Sequence, residues 1–265
     1  MESLRKDWTI LVYGGGVNNL DASIRKNWQA ISHSPMPENV DVFVRHFGQD
    51  GQVSQLHVNR SGASTPSLEP PTIDSASPHS LADFLRAGIR QYPAERYLVV
   101  ISSHGKGAEG VIEDERSHRL MTPQELKQAL EAGQEANAGK PLDAVLFDAC
   151  RMASLEVATQ LSGSVGVAIA SMDNLDAAGY DLNQVVLAAS SSQDARQLGN
   201  ALVSNHQSQQ MKSCLSLSAI DLNQLAPLHK SVKDLASQLG QLDPQSAQIV
   251  RDVAENTRRN TISPV

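Results

Sequence analysis

Short apolar runs alternate with longer amphipathic stretches along most of the chain. Trp8-Thr-Ile-Leu-Val-Tyr13, Asp41-Val-Phe-Val-Arg45, Tyr97-Leu-Val-Val-Ile101, the run from Leu142 to Phe147 and the run from Val165 to Ser171 are dense in Val, Ile and Leu. Runs of this length and composition are the pattern of strands buried on both faces of a parallel sheet. Gln52 to Val58 alternates with period two, as a hairpin partner or edge strand does. Between the runs lie helical faces. Leu20, Ile24, Trp28 and Ile31 line the first, and Leu81, Phe84, Leu85, Ile89 and Tyr92 the second, which Ser80 opens and Pro93 stops. Thr122-Pro-Gln-Glu125 is a capping box with proline at the first helical position. Met152 begins a further helix that carries Leu155, Ala158 and Leu161. One helix is expected over about 181–205, a strand over 214–220 and a helix over 223–240. Residues 60–79, rich in Ser, Pro, Gly and Thr, read as a long exposed loop, and 105–121 as a polar segment with a small hairpin at Gly110-Val-Ile112. Strands that alternate with helices predict a three-layer α/β/α sandwich with a mostly parallel central sheet. The expectation is one domain over 1–265, with 241–265 as a C-terminal extension cut short.

Composition narrows the function classes. The formal charge is −7 and no dense basic cluster occurs, which speaks against a nucleic-acid surface and is compatible with attraction of basic substrates. No stretch approaches a membrane span, and the first residues have no apolar signal core. A monomer in the cytoplasm is therefore expected for the chain as given, or a secreted or periplasmic one if a leader has been removed. Cys150 and Cys214 are the two cysteines, too few for a disulfide framework.

Two of the apolar runs end in reactive residues. One closes on Asp148-Ala-Cys150, the other on Ser103-His104-Gly105. Both place their chemistry at the C-terminal edge of a strand, where open α/β sheets collect ligands. A thiol beside an imidazole is the minimum equipment for nucleophilic acyl transfer. A helix starting at Met152 would stabilise a thiolate at Cys150. Asp148 is costly in such a place unless it has a purpose. Asp-Ala-Cys also parallels the Gln-Ala-Cys signature of caspases, whose histidine lies about 50 residues upstream; here the separation is 46. No residue is a clear orienter for His104. Other motifs are weaker. Gly14-Gly-Gly16 follows a strand but lacks the third glycine of a dinucleotide loop, so a nucleotide-binding α/β enzyme is a lesser alternative. Glu113-Asp-Glu115 leaves calcium open, and no Cys/His set has zinc spacing.

The motifs together resemble the clostripain-like cysteine peptidases of the caspase-like clan. The matching stretches are Trp8–Tyr13 with Asn18-Asn-Leu20, Ser103-His-Gly105, Phe147-Asp-Ala-Cys-Arg-Met152 with Glu156-Val-Ala158, and Ser216-Leu-Ser-Ala-Ile-Asp221. Val17 departs from the family, which usually has an acid there, and so does Ser171-Met-Asp173, where Ser-Gln-Glu is usual. The resemblance implies a caspase-like fold and an endopeptidase that cuts after Arg or Lys in a peptide or protein substrate. It makes His104 and Cys150 the catalytic dyad and the N–H groups of Gly105 and Cys150 the oxyanion donors. Asp148 becomes the floor of the S1 pocket, with Asp173 and Asp176 as helpers. Self-cleavage between the two motifs would fall after Lys106, Arg116 or Arg119. No cofactor is required, although some relatives need calcium. An inactive caspase-like binding domain is the alternative of another class.

Overall fold

The computed structural model describes residues 5–64, 67–69, 73–208 and 216–261. In chain order, β1 (Lys6–Gly15) leads through α1 (Asp21–Ser32) to β2 (Val40–Phe47). The chain turns back into β3 (Val53–Asn59) and two short strands, β4 (Gly62–Ala63) and β5 (Ser67–Glu69). Helix α2 (Pro78–Gln91) carries it to β6 (Ala94–Ser102), and a hairpin of β7 (Val111–Asp114) and β8 (Arg119–Met121) precedes α3 (Pro123–Ala136). There follow β9 (Leu142–Asp148), α4 (Leu155–Leu161), β10 (Val165–Ala170), α5 (Leu182–Ser191), α6 (Ala195–Ser208), β11 (Ser218–Asp221), α7 (Leu225–Leu239) and α8 (Pro244–Thr261). The chain divides into two compact units, residues 1–223 and 224–265.

In the first unit the described residues form a nine-stranded sheet in the order β4-β3-β2-β1-β6-β9-β10-β11, with β5 also on β3. The five strands from β2 to β10 are parallel; β3 and β11 run antiparallel at the two sides. Successive side chains of a strand point to opposite faces, and the core divides accordingly. Trp8, Ile10 and Val12 of β1 join Leu98, Val100, Ala144 and Leu146 in the cluster that receives Ile24, Trp28 and Val185 of α1 and α5. On the other face Tyr13 packs on Phe47 and on Phe84 of α2, with centroids 5.0 and 5.6 Å apart. The capping box at Thr122 forms as expected, with reciprocal bonds between Thr122 and Glu125.

Several boundaries differ from expectation. Of the segment 60–79, residues 65, 66 and 70–72 lie outside the described residues; in the rest β4 and β5 pair with β3, and Ser75 and Ala76 are fully buried. Helix α2 begins at Pro78, because the Ser80 hydroxyl is committed to the Asp74 carbonyl at 2.7 Å and does not serve as the N-cap. The expected helix 181–205 is two helices. The Trp8 indole N–H donates to the Ser192 carbonyl at 2.9 Å, and Asp194 caps the next helix through the Gln197 N–H at 2.8 Å. Helix α4 starts at Leu155, not Met152, with Ser154 as its cap. The Arg151 and Ala153 N–H groups bond instead to the carbonyls of Asp173 and Ser171, at 3.1 and 2.9 Å. The expected strand at 214–220 is described as Ser218–Asp221; residues 214 and 215 lie outside the described residues. The C-terminal stretch is largely the helix α8.

Candidate active site

From β1 the chain first builds β2 on one side, then returns to lay β6 on the other. The C-terminal ends of β1 and β6 are therefore a topological switch point, where α/β sheets open a crevice. Strands β6 and β9 pair with Ser102 opposite Asp148. His104 and Cys150 each stand two residues beyond that pair, so the same register carries both to one edge. They line one cavity of about 210 Å³ together with Asn19, Asp148, Leu175 and Asp176.

The histidine loop is fastened to β1. Ser103 Oγ donates to the Gly15 carbonyl at 2.8 Å. Asn18, fully buried, donates to the carbonyls of Gly15 and Glu113 and accepts the Leu20 N–H. The turn so fixed presents Asn19, whose Oδ1 lies 2.6 Å from His104 Nε2. An amide oxygen only accepts, so Nε2 is the donor in this pair and Nδ1 is the ring nitrogen left for other contacts. Asn19 is thus the orienter that the sequence did not point out. Its signal was the Asn18-Asn-Leu20 match, which placed it in a motif without giving it a partner.

Gly105 joins the two loops. Its bridge to Val111 is held by Ile112 N–H to His104 O and Lys106 N–H to Gly110 O, which turns the Gly105 N–H away from that ladder. A Cβ at Gly105 would lie 2.4 Å from the Cys150 carbonyl oxygen, so glycine permits this approach. Cys150 is part-exposed, and its Sγ accepts the Leu175 N–H at 3.3 Å. With Ser154 as its cap, the following helix begins at Leu155, so its first turn does not start beside Cys150, contrary to expectation.

Asp148 forms part of the wall of the same cavity. Its carboxylate accepts the Ser102 hydroxyl at 2.9 Å and the Tyr180 N–H at 3.1 Å. Gly179, at φ +65°, leaves room for it: a Cβ there would come within 2.5 Å of Oδ2. No cation among the described residues pairs with it. Burial raises its pKa to about 6 against the opposing hydrogen bonds from Ser102 and Tyr180. Asp148 does not cap α4, since Ser154 does.

The remaining candidates separate. Asp176 lines the cavity, whereas Asp173 lies outside its lining and is exposed, its carbonyl holding the Arg151 N–H. Lys106 is paired with Glu113 at 2.9 Å. Arg116 is exposed in the β7–β8 turn, and Arg119 is held by Asp74 and Glu125 at 3.4 and 2.7 Å. Asp114 is buried, which raises its pKa, but bonds from Ser117 and Ser75 and the nearby Arg116 outweigh burial and bring it below the ordinary range. No group of three or more potential metal ligands occurs among the described residues. Gly14 and Gly16 accommodate the buried His46 ring, which a Cβ would approach within 3.0 and 2.7 Å. Cys214 lies outside the described residues.

The clostripain family model matches residues 12–263. The chain belongs to the clostripain family. Clostripain-family solved structures share its fold. A secreted C11 cysteine protease from Bacteroides thetaiotaomicron, bound to an irreversible peptide inhibitor, is 21% identical at TM-score 0.70, covering 88% of this chain and 71% of that one. A second structure, named iotapain, is 16% identical at TM-score 0.71, with 89% and 71% covered. An inactive zymogen C11 protease from Parabacteroides distasonis is 23% identical at TM-score 0.66, with 86% and 65% covered. No curated protein matches the chain. As a clostripain-family member the protein is a cysteine peptidase, acting on peptides or proteins. Among the described residues no helix is long and apolar enough to cross a membrane.

Proposed function

We propose that this clostripain-family peptidase cleaves after Arg or Lys through a Cys150–His104 dyad. Cys150 attacks the scissile carbonyl as a thiolate, and the N–H groups of Gly105 and Cys150 take the developing oxyanion. His104, oriented through Nε2 by Asn19, receives the thiol proton at Nδ1 and returns it to the leaving amine. Water then attacks the acyl-enzyme with His104 as base. This chemistry draws on no metal or cofactor.

The observation that carries the specificity is Asp148: a carboxylate in the wall of the nucleophile's cavity with no cation beside it among the described residues. An Arg at P1 would make the bidentate charge-assisted pair and a Lys the point contact. The self-processing reading rests on the β7–β8 turn, where Arg116 is exposed and its ion pair with Asp114 is long, at 4.0 Å, while Lys106 and Arg119 are held at 2.9 and 2.7 Å by Glu113 and Glu125.

A panel of peptides differing only at P1 tests the specificity. Wild type should favour Arg at least as well as Lys and turn over Gln or Asp poorly, and Cys150→Ala should be inactive. Asp148→Asn should lower kcat/KM for Arg by about 100-fold, the cost of breaking a desolvated charge pair. Alkylation of Cys150 by neutral iodoacetamide should be unchanged in that variant. A preference for P1 Asp, or an Arg preference that survives Asp148→Asn, would remove Asp148 from the pocket.

A further inference from the structure

A second cavity, of about 300 Å³, adjoins the first and shares Asp176 and Gly179 with it. Tyr180 links the two. Its N–H holds Asp148, and its ring stands edge-on to His206 at 6.0 Å in the second cavity. His206 is 9% exposed, and among the described residues neither of its ring nitrogens has a hydrogen-bond partner. Buried polar atoms left in that condition cost free energy, and a ligand that reaches them removes the cost. The charge of the lining gives the ligand's sign. Asp176 and Asp181 are exposed residues of the lining, each with one carboxylate oxygen accepting a backbone N–H, and among the described residues neither Lys nor Arg lines the cavity. The walls at Val185 and Leu202 are apolar and suit an alkyl stem.

We propose that this cavity takes a second basic side chain of the same peptide, so that substrates with two basic residues near the scissile bond are preferred. The proposal rests on reading the Asp148 cavity as the P1 site, since the shared Asp176–Gly179 wall is what brings a second side chain of one peptide within reach. An acidic side chain would meet two like charges. An apolar one would leave the His206 nitrogens unpaired, whereas the head of a Lys or Arg donates to the imidazole lone pair and lies among the carboxylates.

The test is binding of labelled peptides to full-length Cys150→Ala protein, read by fluorescence anisotropy. Each peptide has Arg at P1 and Ala, Arg or Glu in turn at P3, P2, P1′ or P2′. At one of these positions Arg should bind about tenfold tighter than Ala, the order of a partly buried charge contact, and Glu should bind more weakly than Ala. Asp181→Asn keeps a competent N-cap for α5 and removes the charge; His206→Leu removes the acceptor. Each, added to Cys150→Ala, should reduce the gain at least threefold and leave the Ala peptide unaffected. Equal binding of Arg and Ala at every position, or a gain untouched by both substitutions, overturns the proposal. Failure of the P1 reading is seen separately, as an affinity for the single-Arg peptide that Asp148→Asn does not change.

Discussion

Asp148 is held in a state that opposes folding. A carboxyl in an unfolded chain titrates near 4, and burial raises Asp148 to about 6. The native state therefore binds the proton more tightly than the unfolded one. Below about pH 4 both states are protonated and the residue is neutral in its effect; between pH 4 and 6 stability falls, and above 6 the full penalty remains. Asp148→Asn should stabilise the free protein by roughly 1–3 kcal/mol at pH 7 and by almost nothing at pH 4. Urea unfolding of both proteins at the two pH values measures this, and equal stability at pH 7 would contradict it. The same titration should appear in catalysis. With P1 Arg substrates kcat/KM should fall as pH drops through about 6, and Asp148→Asn should lose that component of the acid limb. Asn19 tests the orientation of His104. Asn19→Ala should lower kcat about tenfold, within the range of a lost positioning contact, with KM nearly constant, and Asn19→Asp should restore part of the rate with a changed pH profile. A change in KM alone would make Asn19 a substrate contact. Cys150, His104 and Asp148 were legible because each closes an apolar run. Asn19 was not, because it meets His104 across 85 residues and nothing local in either segment announces the pairing.

The strands were legible because burial on both faces leaves few polar positions, so β1, β6, β9 and β10 stand out as runs. The constant offset between the histidine and cysteine motifs has its physical form in the β6–β9 register. Helix starts were harder to read, since tertiary bonds decided them: the Asp173 and Ser171 carbonyls delay α4, and the Trp8 indole supports the break between α5 and α6. The β7–β8 hairpin was foreseen only as a fragment at 110–112. Its turn is organised by buried Asp114, which accepts the Arg116 and Ser117 N–H groups at 3.1 and 3.0 Å. A proteolytic cut needs an extended segment, so this turn must open before a neighbouring active site can take it. Active enzyme should therefore accumulate two fragments divided after Arg116. Cys150→Ala should stay whole, and Arg116→Ala should be cut slowly or after Arg119. Intact mass of the three proteins after equal incubation decides it, and one uncut species in all three ends the self-processing reading.

At the scale of the whole molecule, every site residue belongs to the first unit, residues 1–223. The second unit carries an apolar row on α7, with Leu228, Val232, Leu235 and Leu239 all exposed. One domain was expected because strands and helices alternate up to β11 and the pattern of a further helix, over 223–240, follows directly. The net charge of −7 acts over longer distances than any single contact. Asp148 and Asp176 face one cavity, and Asp176 and Asp181 the next, so the protein's own field should draw a basic peptide toward the nucleophile. Salt shortens the reach of that field to about 8 Å at physiological ionic strength and about 3 Å at 1 M. Raising ionic strength from about 0.02 to 0.5 M should thus lower kcat/KM for an Arg-Arg peptide several-fold and for a single-Arg peptide less. The rate of iodoacetamide alkylation at Cys150 should stay constant, because a neutral reagent does not feel the field. Equal salt dependence of all three rates would mean that salt acts on the fold or on the thiol, and not on the approach of the substrate.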